Sequence, residues 1–153
     1  MKQIFESNTK LRELVAEYRM LGDLVLYAAV QGKELQIARL EHDTFGYDVI
    51  LKVDGSTKFV QLKSRMLDGK AAHWDIHRTL IENPNGTVVL LLIDYKPDSI
   101  FLSYRIMNED RRQEILLKTP IIERDDDKKC KISIGDFNRA GDIGSLYSGL
   151  FGQ

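Results

Sequence analysis

The chain has 153 residues, with 22 lysines and arginines against 23 aspartates and glutamates, so its formal net charge is −1. A balance this close to zero argues against a protein that coats nucleic acid through an overall positive field, and a local basic surface would have to suffice. The single cysteine, Cys130, excludes an intramolecular disulfide. No apolar run approaches the roughly 18 residues of a membrane span, and the first residues lack the apolar stretch of a signal peptide. We therefore expect a single domain over residues 1–153, in the cytoplasm and without membrane association.

The first predicted element is a long helix from Ser7-Asn8-Thr9, which offers N-cap side chains, to about Gln31. Apolar residues recur along it at three- and four-residue steps and form one stripe. Glu13 and Glu17 lie one helical turn apart beside that stripe. Gly22 inside the helix costs up to about 1 kcal/mol relative to alanine, and it marks a close approach to another element.

Three strands are predicted next. Residues 35–40 alternate between apolar and polar side chains, as a half-buried strand does. Tyr47–Val53 and Thr57–Leu62 are rich in β-branched and aromatic residues. Asp54-Gly55-Ser56 between them is a turn sequence, so these two segments form a hairpin.

The hairpin brings polar groups together. Side chains alternate along a strand, so Gln61 and Lys63 share one face. Antiparallel pairing about the turn places Asp48, near the start of the first strand, close to Lys63. An acid, an amide and an amine that converge in this way form a candidate site for a metal ion and a phosphate.

The elements after the hairpin alternate between helix and strand. Trp74–Glu82 is predicted as a short amphipathic helix, which the turn sequence Asn83-Pro84-Asn85-Gly86 ends. Thr87–Ile93 is an unbroken apolar run of strand length, typical of a central strand that is buried on both faces. Ile100–Ile106 alternates again and predicts one more strand.

The last third of the chain is less informative. Asn108–Leu117 is predicted as a helix capped by Asn108, Glu123–Lys129 as a charged turn, and Lys129–Ile134 as a short edge strand. The glycine-rich segment Gly135–Gln153 is interpreted either as a loosely packed helix or as the contact surface for a protein partner.

The pattern Gly46-Tyr47-Asp48 followed by Gln61-Leu62-Lys63-Ser64 resembles the PD-(D/E)xK nuclease superfamily. It is similar to the restriction-endonuclease-like and Holliday-junction-resolvase-like branch whose second hairpin strand reads Gln-x-Lys. The resemblance implies an α/β fold in which helices flank a mixed central β-sheet. Its αβββαβ core would span about residues 9–106, with a C-terminal extension over residues 107–153.

The resemblance also implies a metal-dependent endonuclease that hydrolyses DNA with Mg²⁺ or Mn²⁺. The expected catalytic residues are Glu17, Asp48, Gln61 and Lys63. The expected metal ligands are Glu17, Asp48, Gln61 and the Leu62 carbonyl, with Glu13 as the alternative to Glu17. Lys63 would orient the attacking water or stabilise the pentacoordinate phosphate.

Ser64, Arg65 and Arg78 are candidate contacts to the phosphate backbone, and two-fold cleavage of a duplex predicts a homodimer. Three alternatives stay open. The chain can be an inactive nuclease-fold protein that binds DNA or a protein partner, or the match can be accidental. His73 and His77 would form a zinc pair only on a helix, with no further ligand to complete it. The preferred target, DNA or RNA, is not determined by the sequence.

Overall fold

The computed structural model describes residues 1–42, 46–118 and 128–152. The helices in these ranges are α1 Lys2–Ser7, α2 Thr9–Val30, α3 Arg78–Glu82, α4 Arg112–Lys118 and α5 Ile143–Phe151. The strands are β1 Leu35–Arg39, β2 Val49–Val53, β3 Ser56–Met66, β4 His73–His77, β5 Gly86–Lys96, β6 Ser99–Ile106 and β7 Lys129–Ser133. Within the described ranges, no helix combines the length and the apolar character needed to cross a bilayer.

Five strands form the main sheet in the order β1-β2-β3-β5-β6, and β4 pairs with β7 in a separate two-stranded sheet. Only the β3–β5 pair of the main sheet is parallel; its other pairs are antiparallel. The predicted mixed central sheet flanked by helices is therefore confirmed. The predicted core order lacked one strand, because β4 lies between β3 and α3.

The main sheet is buried on both faces, and β5 shows this most clearly. Its side chains Val89, Leu91 and Ile93 enter the cluster that α2 and α5 cover. The alternating residues Val88, Leu90 and Leu92 enter a second cluster with α3, α4 and the small sheet. An apolar run without alternation is what such a two-faced strand requires, and the prediction for residues 87–93 is confirmed.

The hairpin forms in the predicted place with a tighter turn. Val53 pairs with Ser56, so only Asp54 and Gly55 form the loop. Their φ angles are 53° and 105°, the left-handed conformation that two-residue hairpin turns use and that an Asp-Gly sequence tolerates. This register places Val49 opposite Val60.

The helix predicted over Trp74–Glu82 is wrong in its first half. His73–His77 is strand β4, paired with β7 from His73–Ser133 to His77–Lys129, and the helix begins only at Arg78. Buried Ile76 alternates with exposed Asp75, which is the period of a strand. Two histidines four residues apart on a strand are separated by about 13 Å, so the helical zinc pair does not form.

The C-terminal segment folds back on the domain. The Asp110 amide donates to the Asn108 side chain at 3.0 Å, so Asn108 is the predicted cap, although the first turn after it is a 3₁₀ turn before α4. Helix α5 packs on α2 and β6, and it buries Leu146, Tyr147 and Leu150. The helix predicted for the tail is therefore confirmed, and its role as a contact for a protein partner stays a prediction. The charged turn at Glu123–Lys129 lies outside the described residues except for its last two.

Candidate active site

A cleft of about 370 Å³ opens between α2, the start of β2, the middle of β3 and β4. All four predicted catalytic residues contribute to its wall. Its lining residues are Glu13, Glu17, Asp48, Gln61, Leu62, Lys63, Ser64, Trp74 and Leu91. Side chains that lie up to 78 positions apart in the chain thus face one space, and Glu17 on α2 shares it with Asp48.

Asp48 is held against β3 by backbone geometry. Its amide donates to the Val60 carbonyl at 2.9 Å, and its Oδ2 accepts from the Leu62 amide at 2.8 Å. Gly46, two residues earlier, has a φ of 82°, and a Cβ at this position would collide with the side chain of His77. The glycine of the Gly-Tyr-Asp motif is therefore required by both its backbone conformation and its close packing. The two hydrogen bonds to β3 fix the position of the Asp48 carboxylate.

Gln61 has an unsatisfied acceptor. The residue is only 6% exposed, and among the described residues its buried Oε1 has no hydrogen-bond partner. Its Nε2 makes one long bond of 3.4 Å to the Leu62 carbonyl. A buried acceptor without a partner is unfavourable by about 1–3 kcal/mol. Such an oxygen beside two carboxylates is suited to a hard cation, which prefers oxygen ligands.

Glu17 lies at the side of the cleft and forms an ion pair with Arg39. Its Oε2 is 2.7 Å from the Arg39 Nη2, and the Glu17 side chain is 19% exposed. Burial, reinforced by the charges of Asp48 and Glu13, raises the pKa of Glu17 from 4.5 to about 7, although Arg39 opposes the shift. The Arg39 pair therefore does not offset the burial of Glu17 and the charges beside it, and a further cation in the cleft would favour the ionised form of Glu17.

The types of ligand atom in the cleft indicate which metal ions it would suit. Within the described ranges, no three histidine, cysteine, aspartate or glutamate side chains cluster so that they could hold a metal. The cleft instead combines the carboxylates of Glu17 and Asp48, with Glu13 nearby, with the amide oxygen of Gln61 and the carbonyl of Leu62. Magnesium and manganese sites use few carboxylates and retain several waters, whereas zinc prefers nitrogen and sulfur ligands. These residues fit Mg²⁺ or Mn²⁺.

Lys63 and Trp74 complete the wall of the cleft. Among the described residues, none makes a hydrogen bond or an ion pair with the Lys63 ammonium, so it stays available for an anion. Trp74 was not expected here, because its segment was predicted to be helical. Its ring packs edge-on against Phe137 at 5.9 Å, and the alternation of residues 73–77 was the pattern that could have located it.

The three predicted phosphate contacts divide into two groups. Ser64 lines the cleft, and its buried hydroxyl has no hydrogen-bond partner in the part of the chain that the structure describes. Arg65 donates to the Ala71 carbonyl at 2.6 Å, outside the lining of the cleft. Arg78 donates to Glu82 at 2.7 Å and to the Leu116 carbonyl at 3.0 Å. The structure thus brings only Ser64 to the candidate site and uses Arg78 to join α3 to α4.

Comparisons with known proteins gave one structural likeness to report. No family model matches the chain, and no curated protein matches it. Among solved structures, it is similar to a Holliday junction resolvase from the archaeal hyperthermophile Archaeoglobus fulgidus. The identity is 14% and the TM-score 0.41, over 89% of this chain and 98% of the resolvase chain.

Proposed function

We propose that this protein is an endonuclease that hydrolyses DNA phosphodiester bonds with Mg²⁺ or Mn²⁺. The observation that carries the proposal is the convergence of Glu17, Asp48, Gln61 and Lys63 on one cleft, in which no residue of the described ranges bonds to the Gln61 oxygen. The spacing of Asp48 and the Gln-x-Lys motif resembles the PD-(D/E)xK superfamily, in which this combination serves phosphodiester hydrolysis.

Asp48, Glu17, Gln61 and the Leu62 carbonyl would hold the cation, which would supply a nucleophilic water and neutralise charge on the phosphate. Asp48 is already oriented by its bond to the Leu62 amide. Lys63 lies two residues after Gln61 on the same face, where its ammonium can orient water and stabilise the additional negative charge of the pentacoordinate phosphate. Glu17 must lose its proton and loosen its pair with Arg39 to act as a ligand.

Electrostatics make substrate binding dependent on the cation. Three carboxylates, those of Glu13, Glu17 and Asp48, face the cleft beside the single ammonium of Lys63. This arrangement repels a phosphate until a divalent ion compensates it. A nuclease of this kind loses affinity for DNA at the cleft when the metal is removed, and it regains both binding and cleavage when Mn²⁺ is added.

The test is nicking of supercoiled plasmid with Mg²⁺ or Mn²⁺. We expect the wild-type protein to nick, and Lys63→Ala and Asp48→Ala to lose at least about 100-fold in rate. Lys52→Ala, which removes an exposed lysine on β2, is the matched control and retains wild-type activity. Nicking that survives both cleft substitutions unchanged would reject the assignment.

A second candidate is an inactive nuclease-fold protein that binds DNA or a protein partner. It is favoured by the Arg39–Glu17 pair at 2.7 Å, because a resident guanidinium can partly take the place of a cation. A calorimetric titration with Mn²⁺ separates the two candidates. Binding that disappears in Asp48→Ala supports the enzyme, and no heat at millimolar Mn²⁺ supports the inactive protein.

A further inference from the structure

Trp74 presents an aromatic ring to a cleft whose other accessible groups are polar. The residue lies on β4, two positions before buried Ile76, and it is partly exposed where the second core cluster meets the cleft. The other apolar residues that line the cleft, Leu62 and Leu91, are only 5% and 0% exposed. The apolar surface that the cleft offers to a ligand therefore comes mainly from the indole of Trp74.

The ring of Trp74 is held by its neighbours on the small sheet and by a second aromatic residue. The pairing of β4 with β7 places Trp74 opposite Ile132, which is fully buried. The ring of Phe137 contacts the indole at 5.9 Å with the two planes at 86°, and Phe137 is bridged to Met107 directly after β6. A large ring that is fixed in this way gives a ligand contact area at low conformational entropy cost.

Neither the metal nor the phosphate of the proposed reaction needs the ring of Trp74. A hard cation takes oxygen ligands, and a phosphate is contacted by hydrogen-bond donors such as the Lys63 ammonium. The face of an indole is instead suited to the flat face of a nucleobase, which stacks on aromatic side chains whatever its identity. A nucleotide bound in the cleft would bring both groups, its phosphate for Lys63 and its base for Trp74.

The size of the cleft limits the kind of DNA that can reach Trp74. At about 370 Å³, the cleft has the volume of a pocket for one small molecule, which suits a single nucleotide and is too small for two paired strands. In a continuous duplex, moreover, the faces of each base are covered by its stacked neighbours, so a protein reaches them only after the base has left the stack. A base that contacts Trp74 must therefore be unpaired.

Two polar groups of the cleft are left over for the edge of such a base. The buried Ser64 hydroxyl bonds to none of the described residues, and a hydroxyl can donate or accept. The Glu13 carboxylate lines the cleft beside Glu17, and the proposed metal site does not require it as a ligand. A carboxylate accepts from the amino group of a base. The cleft thus combines a stacking surface with hydrogen-bonding groups that suit more than one base.

We propose that Trp74 stacks on an unpaired base next to the phosphate at Lys63, an inference that rests on the proposed nuclease function. Trp74 is then a specificity-determining residue, and the enzyme selects DNA with single or splayed strands over continuous duplex. The stacking also supplies affinity that does not depend on charge, in a cleft where the carboxylates of Glu13, Glu17 and Asp48 repel the phosphates of DNA.

Intrinsic fluorescence tests the stacking, because Trp74 is the single tryptophan of the chain. The probe is thymidine 3′,5′-bisphosphate with Mg²⁺, which has one base between two phosphates and no internucleotide bond to cleave. We expect this compound to quench the emission of Trp74. Its abasic counterpart should bind about 10-fold more weakly and should not quench, with both affinities measured by calorimetry. Equal affinities, equal quenching, or no binding of the thymidine compound at millimolar concentration overturns the inference, whatever the result of plasmid nicking.

Cleavage rates test the specificity. Wild-type protein should cleave a splayed-arm substrate with a higher kcat/KM than a continuous duplex of the same sequence. Trp74→Ala should lower this preference about 10-fold, and Trp74→Phe, which keeps an aromatic ring, should retain most of it. Phe101→Ala removes a ring that is 58% exposed on β6 and outside the lining of the cleft. This variant is the matched control and should keep the full preference.

Circular dichroism identifies any variant that fails to fold. If folded Trp74→Ala loses the same fraction of its rate on both substrates, the ring has only a structural role, which overturns the inference and leaves the proposed function intact. If wild-type protein cleaves neither substrate, the proposed function is rejected, and the bisphosphate titration still decides whether Trp74 stacks on a base.

Discussion

The cleft and the polar cluster around Arg112, near the opposite face of the main sheet, differ in whether their buried polar groups have hydrogen-bond partners. Arg112 donates to the carbonyls of Ile81, Asn83 and Gly86 at 2.6, 2.9 and 2.7 Å. It also makes two bonds to Glu109, at 3.0 and 2.9 Å. The guanidinium therefore joins the start of α4 to the turn before β5, and its donors are paired. In the cleft, by contrast, none of the described residues bonds to the Gln61 oxygen.

The same contrast appears in two carboxylates. Asp136 is 0% exposed, and it accepts from the Ser133 amide and hydroxyl at 2.9 and 3.0 Å. Burial by itself raises the pKa of Asp136, but the bonds from Ser133 and Arg111 outweigh it and lower the pKa overall. The pKa of Glu17 is instead raised to about 7. Asp136 thus has enough donors to stay ionised, whereas Glu17, which the proposed site would use as a metal ligand, does not.

The largest expected effect separates the two regions by activity. Asp48→Asn should reduce the nicking rate by roughly 10³-fold with little change in the thermal midpoint, because the amide oxygen can still accept from Leu62. Asp136→Asn should leave the rate per folded molecule unchanged. Rates normalised to the folded fraction test both. Equal loss of activity in the two variants would contradict the separation of a functional cleft from a structural Asp136 cluster.

Asp136→Asn should lower the free energy of unfolding by about 3 kcal/mol, because Arg111 and Lys118 lose the charge that they pair with. The folded-state pKa of Asp136 is lowered, so its contribution is present above the ordinary aspartate pKa near 3.8. It is lost as the pH falls through the lowered value. Urea titrations at pH 6 and pH 2.5 measure this, and the difference between wild type and variant should shrink at the lower pH.

Arg112→Lys should destabilise the protein by about 2 kcal/mol, because one ammonium cannot reach three carbonyls and a carboxylate at once. Arg19→Lys, on the exposed side of α2, is the matched control and should change stability by less than about 0.5 kcal/mol. Urea denaturation midpoints give both values. A variant as stable as wild type would show that the Arg112 bonds are dispensable.

The smallest effect has the opposite sign. Because the pKa of Glu17 rises from 4.5 to about 7 on folding, the folded state binds more protons in this window. Its stability therefore falls as the pH rises through the window. Glu17→Gln should stabilise the metal-free protein by about 1 kcal/mol at pH 8 and by less at pH 5. Glu34→Gln, at an exposed position before β1 and outside the cleft, is the control, and thermal midpoints in EDTA measure both. A destabilised Glu17→Gln at pH 8 would show that the Arg39 pair outweighs the desolvation.

The features that the sequence predicted correctly are those set by residues close together in the chain. The hairpin register follows from the Asp-Gly turn, and the two strands beside it place Asp48 near Gln61 without information from elsewhere. The two-faced strand β5 follows from its own composition. The functional roles of Glu17, Asp48, Gln61 and Lys63 stay predictions, although the structure gathers them in one cleft.

The features that were not predicted depend on residues far apart in the sequence. Strand β4 pairs with β7. Even the two paired residues nearest in sequence, His77 and Lys129, are 52 positions apart, so no local pattern predicts the pairing. The place of Trp74 in the cleft wall was missed for the same reason, because Trp74 lies on β4. Arg78 was predicted to contact DNA because a basic residue after the site is exposed by default. Its bond to the Leu116 carbonyl depends on where α4 docks.

The separation between β4 and β7 has a consequence for synthesis. The main sheet is complete once residue 106 has emerged, because β1, β2, β3, β5 and β6 all precede that point. Strand β4 must then remain without its partner until residues 129–133 leave the ribosome. During that interval the buried side of β4, with Ile76, is uncovered next to a nearly finished sheet. Nascent chains stalled just short of β7 are therefore the form of this protein that chaperones should bind most strongly.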